Sequence, residues 1–458
     1  MDRLGLGGRL SRGGLCALLG VLLAIVAVTL PELGSDPWPF RPASVEPQGV
    51  LAPLVRAAGE EWDVGIARAA CLLAGLGLAL IGALALRRRD WPAWVGAGLV
   101  LVVAVALLLP STLLALGLRE ATAPWFHTND STYQIELAGD LLLDGDNPYG
   151  HDYRRSGMER FYSFDGSASE RVREREVSLE HYAYFPGTAL AAAAWRLLPS
   201  PLDDYRMFVL LLTLGGFAAA MAFSAPLSLR LALGALVVAN PIAVRSAWFG
   251  QNDAPSLTLL LLAFALVTRE RYRWAAASLA AAVLLKQFAV VAIPFVALML
   301  VQRGVAREEL RRTAGVFAAV LAAGILPFLV ADPVAFYEDT VKFGAGTYKI
   351  VGYGLSAMLI RAGVLDDRDG SYPFALIALL TWLPLTGWLL LAQHRSRELW
   401  VGAAGFAISM LVLLFIGRTF NNYYLVWPAT GAVAAALIYA RASPSRPASP
   451  PSLPASPA

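Results

Sequence analysis

Long apolar runs, separated by short clusters of arginine, are the feature that most constrains the fold of this chain. Many of the runs approach or exceed the roughly 18 residues with which a helix crosses a bilayer. Mean hydropathy over the 458 residues is +0.58, and only 16% of the residues are charged, against about a quarter in soluble proteins. The sequence therefore predicts an all-α polytopic protein of the cell membrane, a bundle of about 12–14 transmembrane helices with one long extracytoplasmic loop.

The arginines orient these helices, because loops that collect basic residues stay in the cytoplasm. Only three of the 37 basic residues are lysines, namely Lys286, Lys342 and Lys349. The basic residues assigned to the cytoplasm lie at 87–89, 269–273, 303–312 and 394–397, and at Arg441 and Arg446. Between two such clusters the chain must cross the membrane and return. The residues that this map predicts to be extracytoplasmic are Asp130, Gln251, Lys286 and Arg418.

The same pattern divides the chain into four regions. They are residues 1–116, with the N-terminal membrane helices; 117–184, the extracytoplasmic loop; 185–441, the main membrane bundle with an outer loop at 331–372; and 442–458, a Pro- and Ser-rich disordered cytoplasmic tail. The first apolar run is interpreted as a membrane helix, since no clean cleavage site follows it. The pattern leaves open whether residues 229–249 cross once or twice.

Composition argues against several kinds of site. Cys16 and Cys71 lie inside apolar runs, so neither a disulfide framework nor a thiolate metal site is expected. The four histidines form no short ligand pair, so neither a metal site nor a cofactor is predicted. No basic stripe is interleaved with aromatic residues, which argues against nucleic acid as a partner.

Asp130 opens the long loop and has two interpretations. It precedes Ser131-Thr-Tyr-Gln134, which is similar to a capping box, and so would only cap a helix. Alternatively it is a general base, because partial desolvation at a membrane surface raises the pKa of a carboxyl group. Tyr133, predicted one turn later on the same helical face, favours the base. Glu136 and Asp140 continue this helix and are predicted to form a solvated face.

Lys286 is flanked on both sides by apolar residues. A charged side chain in such a setting is costly unless it is paired, so the pattern predicts binding of a phosphate or lipid headgroup. The alternative is a lysine that extends from a hairpin to the interface. Arg245 and Arg418 invite the same argument. Alternatively, Arg245 lies in a cytoplasmic turn, and Arg418 only anchors the end of a membrane span.

Two further polar segments are candidates for a binding site. The sequence predicts an outer hairpin at Gln251, Asn252 and Asp253. These residues either cap the neighbouring helices or line a headgroup site. Tyr423 belongs to an aromatic group that either forms part of the interfacial belt or lines the same site.

The order of these motifs resembles the GT-C class of integral-membrane glycosyltransferases. Within that class it is closest to glycosyltransferase family 87, the polyprenyl-phosphate-mannose-dependent mannosyltransferases. The resemblance covers residues 110–440, and the motifs that carry it are Asp130 with Tyr133, Gly145-Asp-Asn-Pro-Tyr149, Tyr184-Phe-Pro186, Gly250-Gln-Asn-Asp253, Lys286 and Phe420–Pro428. There are two departures. Two apolar spans precede the usual first helix, and Asn421-Asn422 stands near the place where relatives carry a histidine.

The resemblance implies a GT-C-like bundle in which the loop 117–184 is catalytic. The resemblance implies that the donor is a sugar, mannose in this family, on polyprenyl phosphate, and that the acceptor is a lipid or glycan at the bilayer. Asp130 would deprotonate the acceptor hydroxyl for attack with inversion, while Lys286, Arg418 and Arg245 would bind the donor phosphate. The substrate-binding residues that it implies are Tyr133, Asn147, Tyr149, Tyr184, Gln251, Asn252, Asp253, Asn422 and Tyr423.

Two other functions are compatible with the sequence. A transporter or flippase of lipid-linked glycans would also need cationic sites and a polar cavity, but the sequence has no halves related by symmetry and no paired discontinuous helices. A structural membrane subunit is the third interpretation, and in it Asp130 would tolerate replacement by Asn.

Overall fold

The computed structural model describes residues 8–32, 49–53, 56, 65–85, 90–120, 128–158, 161, 179–347, 350–365 and 372–442. The described residues are predominantly helical, because a helix satisfies its own backbone polar groups inside a bilayer. This confirms the predicted all-α polytopic membrane class. The predicted tail, from residue 443 onward, lies outside the described residues.

The N-terminal half of the chain forms long apolar helices and a pair of shorter helices that pack against each other. In chain order its elements are β1 (Arg9–Ser11), α1 (Arg12–Glu32), α2 (Gly65–Ala85), β2 (Asp90–Pro92), α3 (Ala93–Glu120), α4 (Asp130–Asp144), α5 (Pro186–Arg196), α6 (Tyr205–Met221), α7 (Leu227–Ala239) and α8 (Pro241–Phe249). Strands β1 and β2 pair antiparallel. Helices α1, α3 and α7 share one apolar core, whereas α4 packs along α5.

The C-terminal half continues the bundle. Its elements are α9 (Asp253–Thr268), α10 (Tyr272–Leu285), α11 (Ile293–Gln302), α12 (Arg307–Ala331), α13 (Pro333–Tyr337), β3 (Val351–Gly352), α14 (Leu355–Arg361), α15 (Phe374–Ile377), α16 (Leu383–Ser396), α17 (Leu399–Ile416), β4 (Thr419–Phe420) and α18 (Val426–Ala442). A 3-10 turn, Gln287–Ala292, leads into α11, and a π-helical segment, Glu338–Thr347, follows α13. Strands β3 and β4 pair in parallel.

Six helices of the described part are long and apolar enough to cross a membrane. Helices α7 and α8 add a pair bent by 43°, and there are five shorter apolar helices of 10–17 residues. The bend lies at Asn240, whose side chain caps α8 by accepting a hydrogen bond from the backbone N–H of Ala243 at 3.0 Å. With a bend of this size the chain does not double back, so residues 229–249 form one bent segment.

The chain reverses direction at Lys286. Tyr272, at the start of α10, and Leu300, near the end of α11, line one apolar cavity. Arg303 Nη1, just after α11, lies 3.7 Å from Glu270 Oε1, just before α10. The two open ends of this hairpin therefore meet, and Lys286 is at its tip. We call the end of the bundle that carries Lys286 the site end, and the end that carries Arg303 the arginine end.

Candidate active site

A polar cavity of about 230 Å³ lies at the site end of the bundle. Six chain segments form its wall. The principal residues that line it are Asp130, Ser131, Gln134, Tyr184, Gln251, Asn252, Asp253, Lys286, Gln287, Phe343, Thr419, Asn421, Tyr423 and Tyr424. Nowhere in the described ranges do three His, Cys, Asp or Glu side chains form a group that could hold a metal ion.

The cap of helix α4 is Asn129, not Asp130. Asn129 Oδ1 accepts hydrogen bonds from the backbone N–H of Thr132 at 2.7 Å and from the hydroxyl of Ser131 at 2.6 Å. Asp130 is the first residue of the helix, where the helix dipole favours a carboxylate. The interpretation of Asp130 as the cap is therefore wrong, and Asp130 lines the cavity.

The start of α4 is fastened to the turn between α8 and α9. The Thr132 hydroxyl donates to the carbonyl oxygen of Gly250 at 2.8 Å, and Asn129 Nδ2 donates to that of Phe249. Gly250 has φ +74°, and a Cβ there would lie 2.8 Å from the Thr132 hydroxyl. Only glycine meets both conditions without strain. This contact fixes Asp130 relative to the polar residues that follow Gly250.

Asn252 connects three helices behind the cavity. Its Oδ1 accepts a hydrogen bond from the hydroxyl of Tyr205 at 2.6 Å, and its Nδ2 donates to the carbonyl oxygen of Leu285 at 2.9 Å. Gln251 beside it accepts from the hydroxyl of Ser246 at 2.7 Å. Because Asn252 is 2% exposed, losing either partner would leave a buried polar group unsatisfied. The turn therefore holds the end of α10 in place.

Lys286 is held by one carboxylate and several aromatic rings. Its Nζ lies 3.7 Å from Asp253 Oδ2, 5.4 Å from the ring centroid of Tyr184 and 6.0 Å from that of Tyr424. Asp253 Oδ1 accepts a hydrogen bond from the indole N–H of Trp427 at 2.7 Å. The distance to Asp253 is longer than a hydrogen bond. The ammonium therefore keeps donors for a ligand in the cavity.

Tyr184 lies beside Lys286 and is close enough to Asp130 to be influenced by its charge. Burial raises the pKa of its phenol well above the ordinary value, and the charge of Asp130 raises it further. The phenol is therefore neutral at physiological pH, which leaves Asp130 as the better candidate base. The backbone here is held from both sides: Tyr149 donates its hydroxyl to the carbonyl oxygen of Tyr184 at 2.8 Å, and Gln287 Nε2 donates to that of Ala183 at 3.0 Å.

The outer segment after α13 supplies one wall of the cavity. Asp339 is 1% exposed, and its carboxylate accepts a hydrogen bond from the backbone N–H of Gly150 at 2.9 Å. Its other oxygen lies 2.6 Å from His181 Nδ1. The His181 ring stacks on Phe343 with 4.9 Å between centroids, and Phe343 lines the cavity. Asp339 thus fastens the outer segment to the loop that carries Asp130.

Several predicted residues lie elsewhere. Those absent from the described lining of the cavity are Tyr133, Asn147, Tyr149, Arg245, Arg418 and Asn422. Tyr133 donates its hydroxyl to the carbonyl oxygen of Ser156 at 2.8 Å and packs in an apolar cluster with Tyr149, Tyr153 and Tyr182. Asn147 accepts from the backbone N–H of Tyr149 at 3.1 Å, which closes a turn. The substrate roles of these residues stay predictions.

The arginines and the late asparagine also lie outside that lining. Arg245 lies on α8, with its guanidinium carbon 5.8 Å from the ring centroid of Phe249. Arg418 directly precedes Thr419, which does line the cavity, and Asn422 is exposed. Their proposed donor and substrate contacts likewise stay predictions.

The prediction of a solvated face on α4 is wrong for Glu136. Glu136 is 3% exposed and forms an ion pair with Arg119 at 2.5 Å. Asp140, one turn later, is partly exposed and pairs with Arg196 at 2.8 Å. The cation that pairs with Glu136 is on α3. The residue pattern within α4 therefore cannot show that Glu136 is buried in an ion pair.

Sequence reasoning also missed several residues that line the cavity. Gln287 follows Lys286 directly and could have been found from that neighbourhood. Phe343 and Gln134 carry no local signal, because only the tertiary fold brings the outer segment and the second turn of α4 to the cavity.

These features define a multi-pass membrane protein with a cavity that combines an acid and a buried lysine at one end of its bundle. The profile of glycosyltransferase family 87 matches residues 182–417, just over half of the 458-residue chain. The chain belongs to this family and is a membrane glycosyltransferase, which confirms the resemblance. The match includes Tyr184, Gln251 and Lys286, whereas Asp130 lies before it. No curated protein and no solved structure matches the chain.

Proposed function

We propose that this glycosyltransferase moves a hexose, mannose in the first instance, from polyprenyl phosphate to a hydroxyl of a lipid or glycan acceptor, with inversion. The observation that carries the proposal is that Asp130 and Lys286 line one cavity at the end of an apolar bundle. An acid there can accept the proton of the acceptor, and a cation can stabilise a departing phosphate. A donor with a lipid tail would reach the cavity from the bilayer.

Asp130 is the proposed general base. Its carboxylate would take the proton of the acceptor hydroxyl while the acceptor oxygen forms a bond to the anomeric carbon. The bond from that carbon to the phosphate oxygen would break on the opposite face, and polyprenyl phosphate would leave with the electron pair. Because the base and leaving group lie on opposite faces of the sugar, a single displacement inverts the anomeric configuration.

Lys286 is the proposed ligand of the leaving phosphate. Its ammonium is nearly buried, and so its interaction with an anion is only weakly screened by water. Asp253 lies 3.7 Å away and neutralises the lysine when the donor is absent. Gln251, Asn421 and Tyr423 line the same cavity and offer hydrogen-bonding groups to the sugar.

The cavity is proposed to face the extracytoplasmic side. The arginine end of the bundle carries Arg303, Arg397 and Arg441, and basic residues of short loops remain in the cytoplasm. The site end is the opposite end, since the hairpin tip at Lys286 lies away from the Glu270–Arg303 pair.

The test is sugar transfer by the purified protein in detergent. Radiolabelled mannosyl phosphate on a synthetic polyprenyl chain is incubated with extracted membrane lipids and glycans, and the product is separated from the donor. We expect label in a new glycoside of inverted anomeric configuration, and none with Asp130→Asn. No product from any acceptor, together with transport of the intact donor across vesicles, would favour the flippase and reject the transferase assignment.

A further inference from the structure

A second cavity, of about 310 Å³, lies at the arginine end of the bundle. It is formed where the ends of α9, α11 and α18 meet the turn between α16 and α17. The lining residues that matter here are Thr268, Arg303, Arg397, Glu398, Trp400 and Arg441. None of them belongs to the candidate active site.

The two cavities lie at opposite ends of the same helices. Helix α9 begins at Asp253 in the candidate active site and ends at Thr268 in the second cavity. A helix of its 16 residues spans about 24 Å at about 1.5 Å per residue. That length approaches the roughly 30 Å thickness of the hydrocarbon core of a bilayer. The second cavity therefore lies at the opposite boundary of the membrane.

Two arginines converge on one oxygen in this cavity. Arg303 Nη2 donates to the carbonyl oxygen of Thr268 at 3.4 Å, and Arg441 Nη1 donates to the same oxygen. Arg303 Nε is buried and has no hydrogen-bond partner within the described part of the chain. Guanidinium groups that share one acceptor repel each other, and a buried donor without a partner carries a desolvation penalty. Both effects would be relieved by an anion between the two groups.

The neighbouring carboxylates do not fill this role. Glu398 lines the cavity, and Glu270 lies 3.7 Å from Arg303 with 63% of its side chain exposed. Arg397 contributes a third guanidinium and is exposed. The sequence from 442 to 458 contains no Asp or Glu. The wall of the cavity therefore holds three guanidiniums against one carboxylate.

We propose that this cavity binds the phosphate of an anionic lipid headgroup. The planar donors of arginine match the oxygens of a phosphate, and basic pockets between helices at a membrane surface take such headgroups. Trp400, whose ring packs edge-on against Tyr439 at 5.6 Å, is a residue type that anchors at the headgroup level. A bound phosphate would bridge the ends of α11 and α18 and the turn before α17.

The test is lipid binding by the purified protein, measured by native mass spectrometry with phosphatidylglycerol and with phosphatidylcholine of the same chain length. We expect retention of phosphatidylglycerol but not of phosphatidylcholine. The double variant Arg397→Gln/Arg441→Gln should bind phosphatidylglycerol about 100-fold more weakly, since each of the two charged contacts contributes about one decade. The matched control is Arg395→Gln, which removes an exposed arginine in the last turn of α16 that does not line the cavity.

Three outcomes would overturn the proposal. They are equal retention of the two lipids, an equal loss in the Arg395→Gln control, and full stabilisation of the protein by inorganic phosphate alone, which would indicate a soluble phosphate compound instead of a lipid. The single variant Arg397→Gln keeps the Arg441–Thr268 contact, so it provides the comparison if the double variant does not fold. Because the readout is lipid binding, the result is independent of sugar transfer.

Discussion

Lys286 Nζ lies 3.7 Å from one oxygen of Asp253, whose other oxygen accepts a hydrogen bond from the indole N–H of Trp427 at 2.7 Å. Lys286 and Asp253 are 9% and 3% exposed, respectively. Removing one member of a buried ion pair strands the other charge, which costs about 3–5 kcal/mol. A single substitution at Lys286 therefore changes stability and ligand binding together, and a test of its function has to separate the two.

The first prediction separates them with a double variant. Lys286→Met should abolish measurable transfer and lower the melting temperature, because it leaves Asp253 unpaired. Adding Asp253→Asn removes the stranded charge, so the melting temperature should recover while transfer does not. Lys286→Arg keeps the charge and should retain part of both donor affinity and turnover. Normal transfer by the double variant would show that Lys286 is not the phosphate ligand, and attention would move to Arg245 and Arg418.

The second prediction concerns Asp130→Asn. Since Asn129 is the cap of α4, this variant should change the free energy of unfolding by less than about 1 kcal/mol. Turnover should fall at least about 100-fold, because the base is lost. The matched control is Asn129→Ala, which removes the cap and keeps the carboxylate, so it should lose more stability than activity. Near-normal turnover of Asp130→Asn in the transfer assay would reject Asp130 as the base.

The features that the sequence predicted well are those that depend on local chemistry. An apolar run must be helical in a bilayer, and a lysine within such a run must be paired or exposed to a polar cavity. That reasoning identified Lys286 and the polar turn at Gln251–Asp253, which the structure brings to one cavity. It could not show that Asp253 is the partner of Lys286, because the two residues come from different helices.

The features that sequence reasoning missed depend on long-range packing. Glu136 is buried because Arg119 of α3 reaches it, although its own helix offers no sign of a partner. Asp339 lies far along the chain from His181 and Gly150, yet it contacts both. No periodicity or short motif encodes such contacts. The wall formed by Phe343 therefore becomes visible only in the fold.

The third prediction concerns this outer wall. Asp339→Asn weakens the contacts to His181 and Gly150 and should loosen the segment 333–347. We expect faster amide exchange in that segment and a lower kcat/KM for sugar transfer, with Asp130 and Lys286 unchanged. Glu338→Gln is the matched control, since Glu338 is the neighbouring residue and its ion pair is with the exposed Lys342 at 3.1 Å. Equal exchange rates in the two variants would contradict a fastening role for Asp339.

The fourth prediction concerns pH and Asp204, the cap of α6. Burial alone would raise the pKa of Asp204, but the charges of Arg206 and Arg119 outweigh it and hold the pKa below its ordinary value. A carboxyl group with a lowered pKa stabilises the fold above its unfolded pKa of about 3.9, and this contribution is lost as pH falls towards the folded-state pKa.

We therefore expect the melting temperature in detergent to drop as the pH falls below about 4. Asp204→Asn should lower the melting temperature at neutral pH and flatten this acid dependence. Asp203→Asn is the matched neighbour, because Asp203 pairs with the partly exposed Arg196 at 2.7 Å and should have a small effect. An acid profile of Asp204→Asn that is as steep as that of the wild type would place the titrating group elsewhere.

The fifth prediction is the orientation of the bundle. Two exposed positions report on its two ends: Asn422, beside the candidate active site, and Ser396, beside the cavity of the arginine end. In a background with Cys16 and Cys71 replaced by Ala, we expect a membrane-impermeant maleimide to label Asn422→Cys in intact cells and to leave Ser396→Cys unlabelled. After permeabilisation both positions should react, which controls for accessibility. The physical reason is that the arginines at the arginine end resist translocation across the membrane. Labelling of Ser396→Cys alone in intact cells would place the candidate active site in the cytoplasm, and a donor on the outer side could not reach it.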